Sequence, residues 1–346
     1  MTTIEWTRSD DGTAGKTWNP ILGCDRVSPG CDRCYAMGVA RIRQFNPNPK
    51  IASAFAGTTS NDGGVDWTGK VNLLGDRLTE PLGWKKPARV FVNSMSDLFH
   101  KNVPDEFIAR VFAVMALAPQ HTFQILTKRH ARMRSLIGGP HEVDTERGYA
   151  PGVWFRSLVQ YATHELGNEV NLFGADSPWP LPNVHLGVSV EDQKWADIRI
   201  PALLETPAAV RFLSCEPLLG PIDLGIGDPH RDHDSDDVHG APHPRVCLTC
   251  STEDEHNVEY FRREPDSGGI DWVIVGGESG PGARPLNPDW VRSIVGECRD
   301  AGTAPFVKQL GSVWAKANGA SDGKGGEPAD WPADLRVREY PKAVSA

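Results

Sequence analysis

The chain has 346 residues, 39% of them hydrophobic, and a formal charge of −9. That length buries one large core or two modest ones, and that charge argues against a broad nucleic-acid surface of clustered Lys and Arg while leaving room for a single nucleotide, a local basic groove or a basic partner. No apolar run reaches the roughly 18–20 residues of a membrane span, and Met1 to Trp6 lacks the basic and apolar regions of a signal peptide, so no membrane association and a cytoplasmic location are expected.

A first strand is predicted near Trp18 to Gly23. It leads into Cys24-Asp-Arg-Val-Ser-Pro-Gly-Cys31-Asp-Arg-Cys34. Pro29-Gly30 predicts a turn between the first two thiols, and the apolar stretch Ala36 to Ile42 predicts the following helix. Residues 46–69 are polar and Gly-rich and read as a loop over a barrel mouth.

Six further apolar runs follow, each ending in polar residues. Arg89 to Val92 ends at Asn93, Ser94, Ser96 and Asp97. Thr122 to Leu126 ends at Lys128, and Val184 to Val188 at Ser189 and Glu191. Val210 to Leu213 ends at Glu216, Asp271 to Val275 at Gly276, Gly277 and Glu278, and Ala304 to Val307 at Lys308. Helices are predicted over Pro104 to Ala118 and Pro288 to Ala301, from apolar residues recurring on one stripe. Strand, polar end, helix, strand is the signature of a parallel α/β fold. About seven such units predict a partial or near-complete (β/α) TIM-type barrel over residues 1–314 as one catalytic domain. Insertions are placed at 46–69, 141–182 (with an extra helix around Phe155 to Gly167) and 225–269. A loosely ordered tail is placed at 315–346.

Active sites of such folds lie at strand C-termini. One polar cluster there is readily a helix cap; six in succession exceed what capping needs. Lys128, Glu216 and Lys308 are candidate substrate or proton-transfer groups, or else members of structural ion pairs across the mouth. Arg284 offers a partner for a carboxylate or phosphate, or is a surface arginine.

Seven cysteines in a chain of this kind point to metal or reactive thiols rather than disulfides. Three at Cys24, Cys31 and Cys34 leave one coordination position open, whereas structural zinc closes with four protein ligands. An iron–sulfur cluster, three-cysteine zinc completed by His or Asp, and plain buried thiols all fit the spacing. Cys247-Leu-Thr-Cys250, with His230, His233, His239, His243 and His256 around it, reads as a zinc-stapled insertion or a polar loop. Cys215 and Cys298 read as core thiols.

The three-cysteine loop after a first strand resembles the radical S-adenosylmethionine superfamily. The usual spacing there is C-x3-C-x2-C with an aromatic before the last cysteine; here it is C-x6-C-x2-C, Arg33 precedes Cys34, and the aromatic is Tyr35. The resemblance implies a [4Fe-4S] cluster on Cys24, Cys31 and Cys34 and S-adenosyl-L-methionine as cofactor. It implies cofactor contacts from Asn93, Ser94, Ser96 and Asp97 and from Ser189 and Glu191, with Gly276 and Gly277 admitting close backbone approach. Lys128, Glu216, Glu278 and Lys308 then face the substrate, and a flavodoxin or ferredoxin supplies electrons. The chain also resembles a bacteriophage-associated three-cysteine-motif family of unknown function, through Ile4-Glu5-Trp6, Thr17-Trp18-Asn19-Pro20, Val27-Ser28-Pro29-Gly30-Cys31, Ser94-Met95-Ser96-Asp97-Leu98-Phe99, Leu126-Thr127-Lys128-Arg129, Leu186 to Glu191, Glu216-Pro217-Leu218-Leu219 and Gly276 to Gly280. That likeness implies work in a host cytoplasm on a modified nucleotide or DNA base, such as isomerisation of a hypermodified thymidine, with isomerase, lyase and transferase chemistry all open. A zinc-dependent nucleic-acid repair or processing enzyme, and a non-catalytic zinc-stabilised host-interaction protein, are the alternatives.

Overall fold

A computed structural model describes residues 4–9, 11–62, 64–138, 151–174, 176–226 and 269–342. Seven parallel strands form its main sheet: β1 (Lys16–Trp18), β2 (Arg89–Val92), β3 (Thr122–Thr127), β4 (Val184–Ser189), β5 (Val210–Cys215), β6 (Trp272–Gly276) and β7 (Ala304–Gln309). They lie side by side in chain order, and the sheet curls into a half-barrel. The crossovers carry α1 (Tyr35–Gln44) and α2 (Pro49–Ala54) before β2, then α3 (Asp105–Ala116) before β3. Next come α4 (His130–Ile137) and α5 (Pro151–Glu165) before β4, α6 (Gln193–Leu204) before β5 and α7 (Pro288–Asp300) before β7. Helix α8 (Ser312–Asn318) follows the last strand.

Strand periodicity separates two cores. Successive side chains point to opposite faces. Val273 and Val275 of β6, with Phe123, Ile125, Val188 and Leu213, therefore join the helices in the main core. Trp272 and Ile274 point the other way and meet Phe212, Phe306 and Trp6 on the concave face, with Phe91, Leu126 and Tyr340 packed against them. Trp6 closes this floor from the N-terminal turn, its ring centroid 4.7 Å from Phe91 and 6.0 Å from Trp272. Gly187 gives Phe212 room to lie flat, since a Cβ on it would meet that ring at 2.5 Å.

Three expectations change. The first strand is Lys16–Trp18, while Ile21–Leu22 turn away to pair antiparallel with Asn72–Leu73. The 46–69 segment is not a bare loop. It holds α2 and a short hairpin, Thr59–Ser60 with Asp66–Trp67, and packs Phe55, Ala54 and Trp67 against Leu22, Met37, Ala40 and Met95 in a small core of its own. The tail does not trail from the barrel: Trp331, Leu335 and Val337 are buried in the main core, and Arg338 bridges to Phe306 of β7. The extra helix before β4 is present as α5 and buries Phe155 and Val159; most of the 225–269 insertion, at 227–268, lies outside the described residues.

Candidate functional site at the mouth of the half-barrel

The alternation that builds the aromatic floor also builds what lies above it. Two residues beyond Phe91, Leu126 and Phe306 come Asn93, Lys128 and Lys308. Beyond Gly187 come Ser189 and Glu191, beyond Phe212 come Ser214 and Glu216, and beyond Ile274 comes Gly276. The register pairs Ser189 with Ser214 and Ser214 with Ile274. A polar crown thus rims an aromatic base at the C-terminal ends of the strands.

The cysteine loop crosses this crown. Gly23 bridges to Ser96, bringing Cys24 beside the end of β2. Pro29–Cys31 form the expected turn, and Cys34 immediately precedes α1. Ser28 Oγ donates to Glu191 Oε1 at 2.7 Å, Arg284 Nη2 donates to the Pro29 carbonyl at 3.0 Å, and Tyr35 donates to the Ser94 carbonyl at 2.9 Å. Cys31 is buried; Cys24 and Cys34 are half-buried against the small core. Burial pushes the Cys24 thiol up to about 12, against the nearby Arg129 charge, and burial likewise raises Cys34. Both hold their protons, so ligation of either sulfur releases one.

Every carboxylate around the loop is already engaged. Glu191, fully buried, accepts Lys128 Nζ at 2.8 Å and Arg199 Nη1 at 2.9 Å in addition to Ser28. Burial opposes its ionisation, yet Lys128 and Arg199 prevail and hold it below the ordinary carboxylate range. Asp97 accepts Thr127 Oγ1 at 2.7 Å, the Phe99 and Lys128 amides at 3.0 and 3.1 Å, and Arg129 Nη1 at 3.0 Å. Asp25 pairs with Arg129 and with Lys101 at 3.4 Å, and lies 3.3 Å from His100 Nε2. Glu278 is clasped by Arg284 at 2.6 Å and by Arg33 at 3.4 Å; burial works against its ionisation, but these arginines lower it. Glu216 takes Lys308 Nζ at 2.6 Å.

The mouth therefore gathers Lys128, Glu216, Glu278 and Lys308 as ion-pair members. Asp97 anchors the β2 and β3 ends, with its four acceptor sites filled from within the chain. Ser94 and Ser96 are taken by Asn19 Oδ1 and the Ile21 carbonyl. Gly276 lies against Glu216, and a Cβ on Gly277 would meet the Leu310 carbonyl at 2.6 Å, so Gly277 admits the chain's own backbone. Asn93 is different. It has φ 58°, is 3% exposed, and neither side-chain amide atom has a partner among the described residues. The sequence gives no site role to Ser28, Arg33, Arg129 or Arg199. Arg129 adjoins Lys128 in a quoted motif, but Arg199 lies inside α6 and carries no local signal.

Among the described residues, no three His, Cys, Asp or Glu side chains are grouped so that they could hold a metal ion. The three thiols share one loop, Arg129 Nη1 lies 3.7 Å from Cys24 Sγ, and the neighbouring acids are already bound to cations. Cys247 and Cys250 lie outside the described residues.

A family model described as protein of unknown function (DUF5131) matches residues 1–335. No curated protein and no solved structure matches the chain.

Proposed function

The chain belongs to that family, and we propose that it is a radical S-adenosylmethionine enzyme whose Cys24, Cys31 and Cys34 hold a [4Fe-4S] cluster over the half-barrel mouth. One observation carries the reading. Asp25, Asp97, Glu191 and Glu278 are each ion-paired, so none of these four acids is free to complete a site begun by the three thiols. A closed zinc site needs a fourth protein ligand, and recruiting one of these acids breaks a buried or half-buried pair, a cost of about 3–5 kcal/mol where the pair is fully buried.

Such a cluster, with S-adenosyl-L-methionine bound, supplies the electron that cleaves the sulfonium and releases a 5′-deoxyadenosyl radical. The chain's own groups then have distinct tasks. Asn93, just past the end of β2, offers a donor and an acceptor that find no partner among the described residues. Lys308 and Glu216, joined at 2.6 Å, hold a proton that either end can pass to substrate. The floor of Trp6, Phe212, Trp272 and Phe306 excludes water from below. A flavodoxin or ferredoxin as electron donor and a modified nucleotide or DNA base as substrate follow from the motif resemblance.

Anaerobic reconstitution with iron and sulfide tests the reading. About four irons per chain with a visible charge-transfer band are expected, and Cys31→Ala should lose both. Stoichiometric zinc with no iron uptake would overturn it.

A further inference from the structure

Helix α1 leaves the cysteine loop with one face buried and the other unlike the rest of the surface. Ala36, Met37 and Ala40 face the small core. Ile42 and Phe45 point outward and are 74% and 65% exposed, and Tyr35 is 59% exposed with its hydroxyl turned back to the Ser94 carbonyl. With Gly38, whose Cβ position has nothing within 4 Å, they fall at helical spacing on one stripe. Arg41 and Arg43 flank that stripe on either side. The Arg41 guanidinium lies 4.3 Å from the Phe45 ring centroid, stacked above it.

The charge is as one-sided as the exposure. From Arg33 through Asn61 the chain has four cations (Arg33, Arg41, Arg43 and Lys50) and no acid, in a protein whose net charge is −9. Arg33 is spent on Glu278. Arg41, Arg43 and Lys50 have no carboxylate partner among the described residues, unlike the cations of the mouth.

From these features we infer that the outer face of α1 binds single-stranded nucleic acid, the bases stacking on Tyr35 and Phe45 and the phosphates lying against Arg41, Arg43 and Lys50. Exposed rings interleaved with unpaired cations are the pattern that holds such strands. Unstacked bases present the flat faces that the rings and the Arg41 guanidinium complement; a duplex hides them. The stripe is about 15 Å long and one helix wide, less than the roughly 800 Å² per partner of a standard protein interface. It starts at Tyr35, next to Cys34 and hydrogen-bonded to the end of β2, so a strand lying on it leads to the mouth. The inference deepens the nucleotide reading of the substrate by making that substrate a polymer, but it stands on binding alone.

Fluorescence anisotropy with a labelled oligothymidylate of about twenty nucleotides, at about 50 mM salt, tests it. The full chain should bind, with log K falling against log salt at a slope of about −2, the value for three phosphates neutralised on a single strand. Tyr35→Ala and Phe45→Ala should each weaken binding about 5- to 100-fold, from the loss of one stacked base. Tyr35→Phe should retain it. Arg41→Glu with Arg43→Glu should abolish it, and a duplex of the same length should compete poorly. Arg41 is half-buried and the other substituted side chains are exposed, so unchanged melting curves will show that the variants fold. Metal-free protein and Cys31→Ala should bind as wild type does, which separates this test from that of the cluster. No binding at low salt, binding indifferent to the arginine reversal, or a preference for duplex would overturn the inference. So would a concentration-dependent dimer that Ile42→Glu dissolves, or an acidic protein that displaces the oligonucleotide while Tyr35→Ala leaves oligonucleotide affinity unchanged.

Discussion

Gly30 lies so close to Glu191 that a Cβ on it would meet the glutamate Cγ at 2.5 Å, while two residues earlier Ser28 donates to the same carboxylate at 2.7 Å. The cysteine loop is thus fitted to the end of β4 by shape and by a hydrogen bond at once. Ser28→Ala should cost about 1.5–3 kcal/mol, the range for a bond to a charged acceptor, at its lower end because Lys128 and Arg199 remain. Gly30→Ala should push the loop outward and speed thiol-reagent labelling of buried Cys31 about tenfold. Labelling no faster than wild type would show that the fit is slack.

Arg199 and Glu191 are both fully buried, and Arg199 is stacked 3.9 Å from the Trp195 ring centroid. Arg199→Met leaves Glu191 with one cation fewer in a dry site and should cost about 3–5 kcal/mol by urea denaturation. Adding Glu191→Gln should recover part of that loss, since the uncompensated charge goes with it. Additive costs would mean that the two side chains stabilise the fold independently.

Asn93 separates binding from folding. Its left-handed backbone suits glycine, and its side-chain amide atoms find no partner among the described residues. Asn93→Gly should leave the melting temperature equal or higher, whereas Asn93→Ala should lower stability by about 1 kcal/mol through backbone strain. Both should weaken S-adenosyl-L-methionine binding, by calorimetry, at least about tenfold. Unchanged affinity in Asn93→Gly would remove Asn93 from the cofactor site.

Glu297 on α7 gives a pH signature away from the mouth. Burial, together with the Asp223 charge, pushes its carboxyl up to about 7 from an ordinary 4.5, against the Leu224 amide that donates to it at 2.7 Å. The folded state therefore holds this proton more tightly than the unfolded chain does. Its stabilising contribution is complete below pH 4.5 and is lost as pH rises through 7. Wild type should lose stability relative to Glu297→Gln across that window in thermal melts; parallel curves for the two proteins would contradict the assignment.

Legibility in the sequence followed the range of the interactions. Strands β3 to β6 are sandwiched between helices and aromatic floor, so they read as near-continuous apolar runs, and the polar residues that end them mark the mouth. Strand β1 is hard to place from sequence because a three-residue edge strand, Lys16–Trp18, leaves little pattern beside the more apolar Ile21-Leu22. Composition hid the small core, since Phe55 and Trp67 are single aromatics among polar and glycine residues, and it hid the tail, where Trp331 and Leu335 dock between similar stretches. Asp97 was visible, but its filled acceptors were not. Ser28 reaching Glu191 and Arg33 reaching Glu278 join residues far apart in the chain, and no local window contains both partners.

The most direct measurement is product analysis of S-adenosyl-L-methionine incubated anaerobically with reconstituted protein and dithionite. The proposed chemistry requires 5′-deoxyadenosine from wild type, none from Cys31→Ala, and a sharply reduced yield from Asn93→Gly. Iron-loaded wild-type protein that leaves S-adenosyl-L-methionine intact would contradict it.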